Sequence, residues 1–481
     1  MLTNLVVIAC VMPQPAILSK ESLLADFEIL YRATSTLHPS TLRYHSPESL
    51  AKAWAKLKTS WSKDQPLDQA FLRLSEFQGT LKCGHSYPNF FNQSRKIQQE
   101  IFEQPNKLPF TFTWLNRKMV VTQDVSQERL LNPGDVIESI NGISVSKIAK
   151  KILPSIRADG SNNAKRWDLL SVTGSAKYET FDVYHPLYFK VVNRLSLAVA
   201  GRSQPIIVTP ISAESRIEKL NRPQLGQDDP LWQLFWPKAD VAVLKMDSWF
   251  TFRSNWNWRE FLRQSFQTLQ TKSIKYLVID IRNCEGGDDS VGTELARYLA
   301  QSPFQLDRLQ QTVRYQVVPQ DLRPYLDTWD QRFFNWGQAA QPVEGGMFRL
   351  NRPESTLTTR IEPAENVFKG RVWVLVSPTN SSATFQFAEI AKSRKLATLV
   401  GQPTGGNQRG ITGGAFFFLR LPNIGLEVDI PLIASFRPDA PDAGITPDVR
   451  VNPLPADYRS GRDRTMETVL QRIDKTPQVG R

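Results

Sequence analysis

The residues best suited to chemistry lie where an apolar run meets a helix. Val372-Trp373-Val374-Leu375-Val376 is short, β-branched and aromatic, and reads as an interior strand. It runs into the turn Ser377-Pro378-Thr379-Asn380, the pair Ser381-Ser382 and then Ala383, after which Phe387, Ala388, Ile390 and Ala391 fall at helical spacing. A serine at such a junction has backbone N–H groups beside it and the positive end of a helix behind it. An acyl-transfer nucleophile needs that setting, together with a base to take its proton and donors to hold the developing oxyanion. The plainer reading is that Ser381 or Ser382 only caps the helix.

Histidine is the commonest such base, and the chain has four. His85 is presented by the turn Leu81-Lys82-Cys83-Gly84-His85-Ser86, whereas His38, His45 and His185 stand in contexts explained by capping or packing. A second apolar run, Tyr276 to Asp280, leads into Glu285-Gly286-Gly287, which taken alone is a tight turn. No phosphate-binding glycine loop and no His/Cys/Asp/Glu group at ligand spacing is visible, so no cofactor or metal is expected.

A chain of 481 residues exceeds a single core and implies two to four domains. With 41% hydrophobic and 22% charged residues, 12 Trp and 26 Phe, it has the composition of a folded protein. The net charge of +12 is dispersed, with no run of five or more Lys/Arg, which argues against a nucleic-acid partner. The run Leu5 to Met12 reads as the remnant of a secretory signal without a basic start, and Val7-Ile8-Ala9-Cys10 resembles a lipoprotein cleavage box. Export to the periplasm or cell envelope is the expectation, with a membrane link only through a lipid on Cys10. The alternative is a short hydrophobic tail on a cytoplasmic protein. Cys83 and Cys284 then remain, by default as reduced buried thiols, with a disulfide as the side possibility.

Residues 1–18 form the possible signal or lipoprotein segment, and 19–95 a helical cap with helices over 21–30, 47–57 and 67–77. Gly134 to Val145 holds a Gly-Asp turn, a strand, an Asn-Gly hairpin turn and a second strand. This segment resembles the signature of a PDZ domain, assigned to 106–155, whose strand edge binds extended peptides. Residues 156–235 are read as connecting strands (Tyr178 to Val183, Leu195 to Ala200, Pro205 to Pro210) and a linker from Pro223 to Pro230. Strand–helix alternation over 236–453 predicts an α/β domain, and 454–481 a tail.

The α/β part is similar to the serine peptidase family that includes the C-terminal processing peptidases and the tricorn core peptidase. The resemblance rests on four segments in the family's order: Tyr276 to Gly287, ending in Asp280-Ile-Arg282 and the Gly-Gly loop; Val374 to Ala388; Leu399 to Gly406; and Gly444-Ile445-Thr446-Pro447-Asp448-Val449. It implies a multidomain α+β chain with a crotonase-like ββα-spiral catalytic domain. It implies Ser382 as nucleophile and the N–H groups of Gly286 and Ala383 as oxyanion donors. One branch of the family uses a lysine where this chain has Asn407. The tricorn-like branch uses a histidine before the PDZ domain, which His85 matches. The acid near the C-terminal motif falls to Asp442, with Asp439 nearby and a solvated turn as the alternative. Phe385 and Cys284 depart from the family pattern. The implied activity is a serine endopeptidase or C-terminal processing peptidase acting on peptides or proteins. The competing readings are a non-catalytic peptide-binding protein on the same scaffold, and a lysine-dependent enzyme recruiting Lys369 or Lys392.

Overall fold

The computed structural model describes residues 16–222, 226–306, 309–351 and 360–475. The apolar run with Cys10 and residues 223–225 of the linker lie outside them. The architecture is mixed helix and sheet in several parts, built on three six-stranded sheets.

The helices Lys20–Leu37, Pro47–Ser60 and Leu67–Thr80 open the described chain. Ser19 and Ser46 cap the first two by accepting the N–H groups of Ser22 and Ser49. Their apolar faces bury Leu23, Phe27, Leu30, Trp54, Phe71 and Phe77 in one core. This core continues into the antiparallel hairpin Thr412–Arg420 and Glu427–Ser435, since Phe417, Leu419, Val428 and Ile430 belong to it. Buried Asp26 fastens the junction by accepting the N–H groups of Asn423 (3.0 Å) and Ile424 (2.8 Å). The turn after the third helix, where Lys82 has φ +53°, is held against the same hairpin by Ser86, whose hydroxyl donates to the Asp429 carbonyl (3.3 Å).

The middle sheet runs Phe110–Leu115, Lys118–Asp124, Val136–Ile140, Leu195–Val199, Ile206–Val208, with Ile143–Ser144 beside Val136–Ile140. Asn141 (φ +50°) and Gly142 (φ +76°) make the Asn-Gly turn. Two of its strands lie beyond residue 155, so this sheet does not end there. Tyr178 to Val183, expected as a strand, lies largely in the helix Thr180–Tyr188. Aromatic richness favoured a strand, but Phe181 and His185 stack 4.9 Å apart at the i,i+4 spacing of a helix.

The third part holds the parallel strands Val241–Met246, Tyr276–Asp280, Arg371–Val376, Thr398–Gly401 and Val449–Arg450, with Trp232–Lys238 antiparallel at one edge. Tyr276–Asp280 is buried throughout, as a central parallel strand covered on both faces must be. The helices Trp258–Thr271, Asp289–Leu299 and Ser382–Ser393 cover one face. The helix Arg464–Asp474, inside the expected tail, buries Val469 and Ile473 against the other. Arg282 anchors that helix by binding both Asp280 and Asp463. Ligand sites in open α/β sheets form at the carboxyl ends of parallel strands, and here the loops 281–288 and 377–381 meet at that end.

Candidate active site

Strand Arg371–Val376 ends in a turn organised by Asn380, which is fully buried. Its side-chain oxygen accepts the Ser377 N–H (2.8 Å), and its amide donates to the carbonyls of Ile281 (2.6 Å) and Cys284 (3.0 Å). Its own carbonyl accepts the N–H groups of Gly405 and Gly406 at 2.7 and 3.0 Å. One amide thus joins the serine turn, the Gly-Gly loop and the glycine-rich turn. The sequence shows Asn380 only as a turn residue.

Ser381 is the N-cap of the helix Ser382–Ser393, but its side chain makes no capping bond. Its hydroxyl points to the carbonyls of Glu285 (3.3 Å) and Thr379 (3.5 Å), and its N–H donates to Glu285 (3.1 Å). The capping role is therefore absent at Ser381. Ser382 is half-buried with φ +50°, a left-handed conformation that costs a non-glycine residue about 1–3 kcal/mol. Such a sharp strand-to-helix corner lifts a hydroxyl clear of its own backbone.

Gly286 (φ +144°) lies directly against this corner. A methyl group on it would stand 2.9 Å from the Ser381 carbonyl oxygen, 3.0 Å from Ser382 Cβ and 3.1 Å from the Ala383 nitrogen. Gly287 is equally constrained, since a methyl there would meet the Trp249 carbonyl at 2.2 Å. Among the described residues no oxygen accepts the Gly286 or Ala383 N–H, and the Gly286 N–H lies against the Cys284 sulfur. Phe385, where the resembled family has an acid, packs its ring into the space a side chain at residue 406 would need.

His85 reaches the same end of the molecule, beside Gly413 and 5.8 Å from the Phe416 ring. Its turn is clamped by residues 157–160: Asp159 accepts the Gly84 N–H (2.8 Å), and Arg157 donates to the Gly84 carbonyl (2.7 Å). Nδ1 of His85 is buried without a hydrogen-bond partner. Burial pushes its pKa below the ordinary histidine value; Asp159 and Glu285 oppose the shift, Arg157 and Lys165 add to it. The ring is accordingly held neutral, the form that accepts a proton. No hydrogen bond joins Ser382 to His85 among the described residues. Catalytic contacts often tighten only with substrate bound.

The remaining histidines are engaged elsewhere. His38 accepts the Ser40 N–H, His45 bonds Ser49 and the Thr80 carbonyl, and His185 is buried against Phe181. Cys83 and Cys284 are unpaired, and burial pushes both thiols up to about 12, which keeps them protonated.

Asp442 does not meet His85. It accepts the Ser161 N–H (2.9 Å) and the Asn407 amide (2.7 Å), and Asn407 also donates to the Asp159 carbonyl (3.1 Å). Asp442 therefore steadies the 159–161 segment, while Asp159 is the foremost carboxylate acting on the imidazole. Lys392 pairs with Asp448 (3.0 Å). The lysine that does approach the site is Lys165, bonded to Glu285 (3.0 Å) and the Thr379 carbonyl (3.0 Å). Burial works against ionisation of Glu285, yet Lys165 and Arg157 outweigh it and hold that carboxyl well below the usual carboxylate range. Neither Asp159 nor Lys165 carries a sequence signal, since both act across long separations from an irregular stretch. A cleft of about 900 Å³ opens beside this site, lined by Tyr87, Arg157, Lys165, Glu285 and Thr379 among others but by neither Ser382 nor His85.

The family model of Peptidase family S41 matches residues 240–451, which contain the serine corner, the Gly-Gly loop and the glycine-rich turn. Residues 240–451 thus carry the sequence pattern of peptidase family S41. That family is one of peptidases, which act on peptides or proteins. No curated protein sequence matches it. Among solved structures, mature CPAF complexed with lactacystin has a TM-score of 0.64 at 15% identity, over 95% of this chain and 98% of that one. Mature CPAF alone gives 0.63 at 15% identity, over 95% and 97%. At that identity the likeness is one of fold, and it runs beyond the S41 match through nearly the whole chain. No helix among the described residues is long and apolar enough to cross a membrane.

Proposed function

We propose that this chain is a serine peptidase that cleaves peptide bonds through an acyl-enzyme on Ser382. The observation that carries the reading is the corner itself: Ser382 at φ +50°, backed by Gly286, with no oxygen among the described residues accepting the Gly286 or Ala383 N–H. In the first step Ser382 Oγ bonds to the scissile carbonyl carbon while its proton passes to His85. The tetrahedral oxyanion is held by those two N–H groups. Collapse breaks the C–N bond, and the leaving amine takes the proton from His85. Water then repeats the sequence on the ester, releasing the new carboxyl end and restoring Ser382.

A fluorophosphonate probe tests this directly by phosphonylating an activated serine. The expected result is a single adduct, mapped to Ser382 by peptide mass spectrometry. Folded wild-type protein that stays unlabelled, or an adduct at Ser381, would overturn the assignment and favour the peptide-binding reading.

Asp159 is assigned as the positioning carboxylate of His85, in place of Asp442. Its negative charge favours the imidazolium that forms as Ser382 attacks, while its bond to Gly84 fixes the turn. Asp159→Asn keeps an acceptor for the Gly84 N–H but removes the charge. The imidazole then loses a proton more readily, so the acidic limb of kcat/KM moves to lower pH while the plateau falls about tenfold. A plateau that falls with the limb unmoved would reduce Asp159 to a structural part.

A further inference from the structure

The hairpin strand Thr412–Arg420 has an unusual outer face. Its register against Glu427–Ser435 shifts between Gly413 and Phe416, where Gly414 and Ala415 oppose the single residue Leu432. Such a bulge resets the alternation of side chains, so Gly413, Phe416 and Phe418 share one face while Ala415, Phe417 and Leu419 point into the core. His85 stands over Gly413 and beside Phe416. Trp329, from the loop after Leu326–Asp327, lies 5.8 Å from the Phe416 ring and 5.9 Å from Phe418, and is 60% exposed. Phe416 and Phe418 are partly buried on this face, over the buried Asp429, Pro431 and Ile433 of the partner strand. A row of aromatic rings thus leads outward from the histidine.

The strand edge is only partly paired as well. Leu326–Asp327 pairs only with Phe418 and Leu419, so among the described residues no strand lies beside Gly413 to Phe416 on that side. An extended peptide added to this edge would place every second side chain on the face that carries His85 and the rings. Phe416 also lines the space next to the base, which makes the row continuous with the reacting centre. Exposed aromatic surface in such a position is suited to holding an apolar side chain, and Trp supplies large contact area at little entropic cost.

We infer that Trp329, Phe416 and Phe418 form a substrate subsite that takes an aromatic or large aliphatic side chain of an extended peptide, close to the scissile bond. This deepens the peptidase reading and rests on it. Two quenched fluorogenic dodecapeptides test it, one alternating Phe with Gln and the other Ala with Gln, so that every second register offers Phe or Ala to the subsite. Wild type is expected to cleave the Phe peptide at least about tenfold faster. Trp329→Ala should lose about tenfold in that Phe/Ala rate ratio, and Trp329→Tyr should restore most of it. A ratio does not depend on the fraction of enzyme folded. A wild-type ratio near one, or a ratio unchanged in Trp329→Ala, overturns the subsite. If the fluorophosphonate probe fails to label Ser382, the peptidase reading falls separately. Fluorescence anisotropy of the two peptides on Ser382→Ala and on the Ser382→Ala, Trp329→Ala double variant then decides. A Phe preference that depends on Trp329 supports the subsite, and equal affinities overturn it.

Discussion

Ser382→Ala is expected to lower peptide hydrolysis by at least about 10⁴-fold, and His85→Ala by a similar factor. The more telling variant is the double. If the serine and histidine work as one proton-transfer unit, removing the second after the first costs almost nothing, because nothing remains for it to activate. The double variant should therefore lie within about tenfold of either single, the residual rate coming from the oxyanion donors and substrate binding. Prolonged hydrolysis of a defined peptide, followed by mass spectrometry, measures all three. Independent losses that multiply would mean that His85 acts on something other than the Ser382 proton. The pH profile adds a signed check. His85 must be neutral to act as base, and burial lowers its pKa. Activity should thus persist on the acidic side beyond the point where an ordinary histidine would be protonated.

Gly286→Ala carries the second large effect. At φ +144° an alanine is strained, and its methyl would press on Ser381, Ser382 and Ala383 together. Relief requires the loop to withdraw from the corner, taking its N–H away from the site of the oxyanion. Loss of one such donor costs about 10²–10³-fold in kcat. The loss should fall on kcat with KM little changed, since the ground-state carbonyl gains less from that donor than the transition state does. Backbone strain should add a stability loss of about 1–3 kcal/mol, read from denaturant unfolding. A normal kcat in this variant would remove Gly286 from the oxyanion site. Hydrolysis by a protein already shown to be folded separates the two effects.

The legible parts of this chain were those with local rules. Strand Tyr276–Asp280, the Ser382 helix and the Asn141-Gly142 turn follow from periodicity and turn chemistry confined to a few residues. The helix Thr180–Tyr188 was hidden because its aromatic and β-branched residues favour strands in isolation, and packing of Phe181 and Tyr184 overrides them. Asp159 was illegible for a different reason. It meets Gly84 across 75 residues of chain, in a loop with no periodicity, and only the folded positions of two unrelated turns bring them together. Asp442 had a motif position in its favour, yet Asn407 and Ser161 occupy its carboxylate. The aromatic row depends on a one-residue bulge, which no alternation pattern announces.

Residues 157–165 touch every part of the site. Arg157 and Asp159 hold the His85 turn, Arg157 and Lys165 hold Glu285 beside Gly286, Lys165 reaches Thr379, and Asn162 donates to the carbonyls of Thr404 and Gly406. The order of synthesis gives this arrangement a temporal meaning. A ribosome delivers the histidine and its struts first and the serine nearly 300 residues later, so the growing polypeptide holds no finished cutting site. Nor would an isolated S41 segment, which contains Ser382 but neither His85, the proposed base, nor the stretch that holds its turn. On the proposed mechanism, reactivity thus belongs to the folded whole, and no earlier stage of synthesis holds a working cutting site.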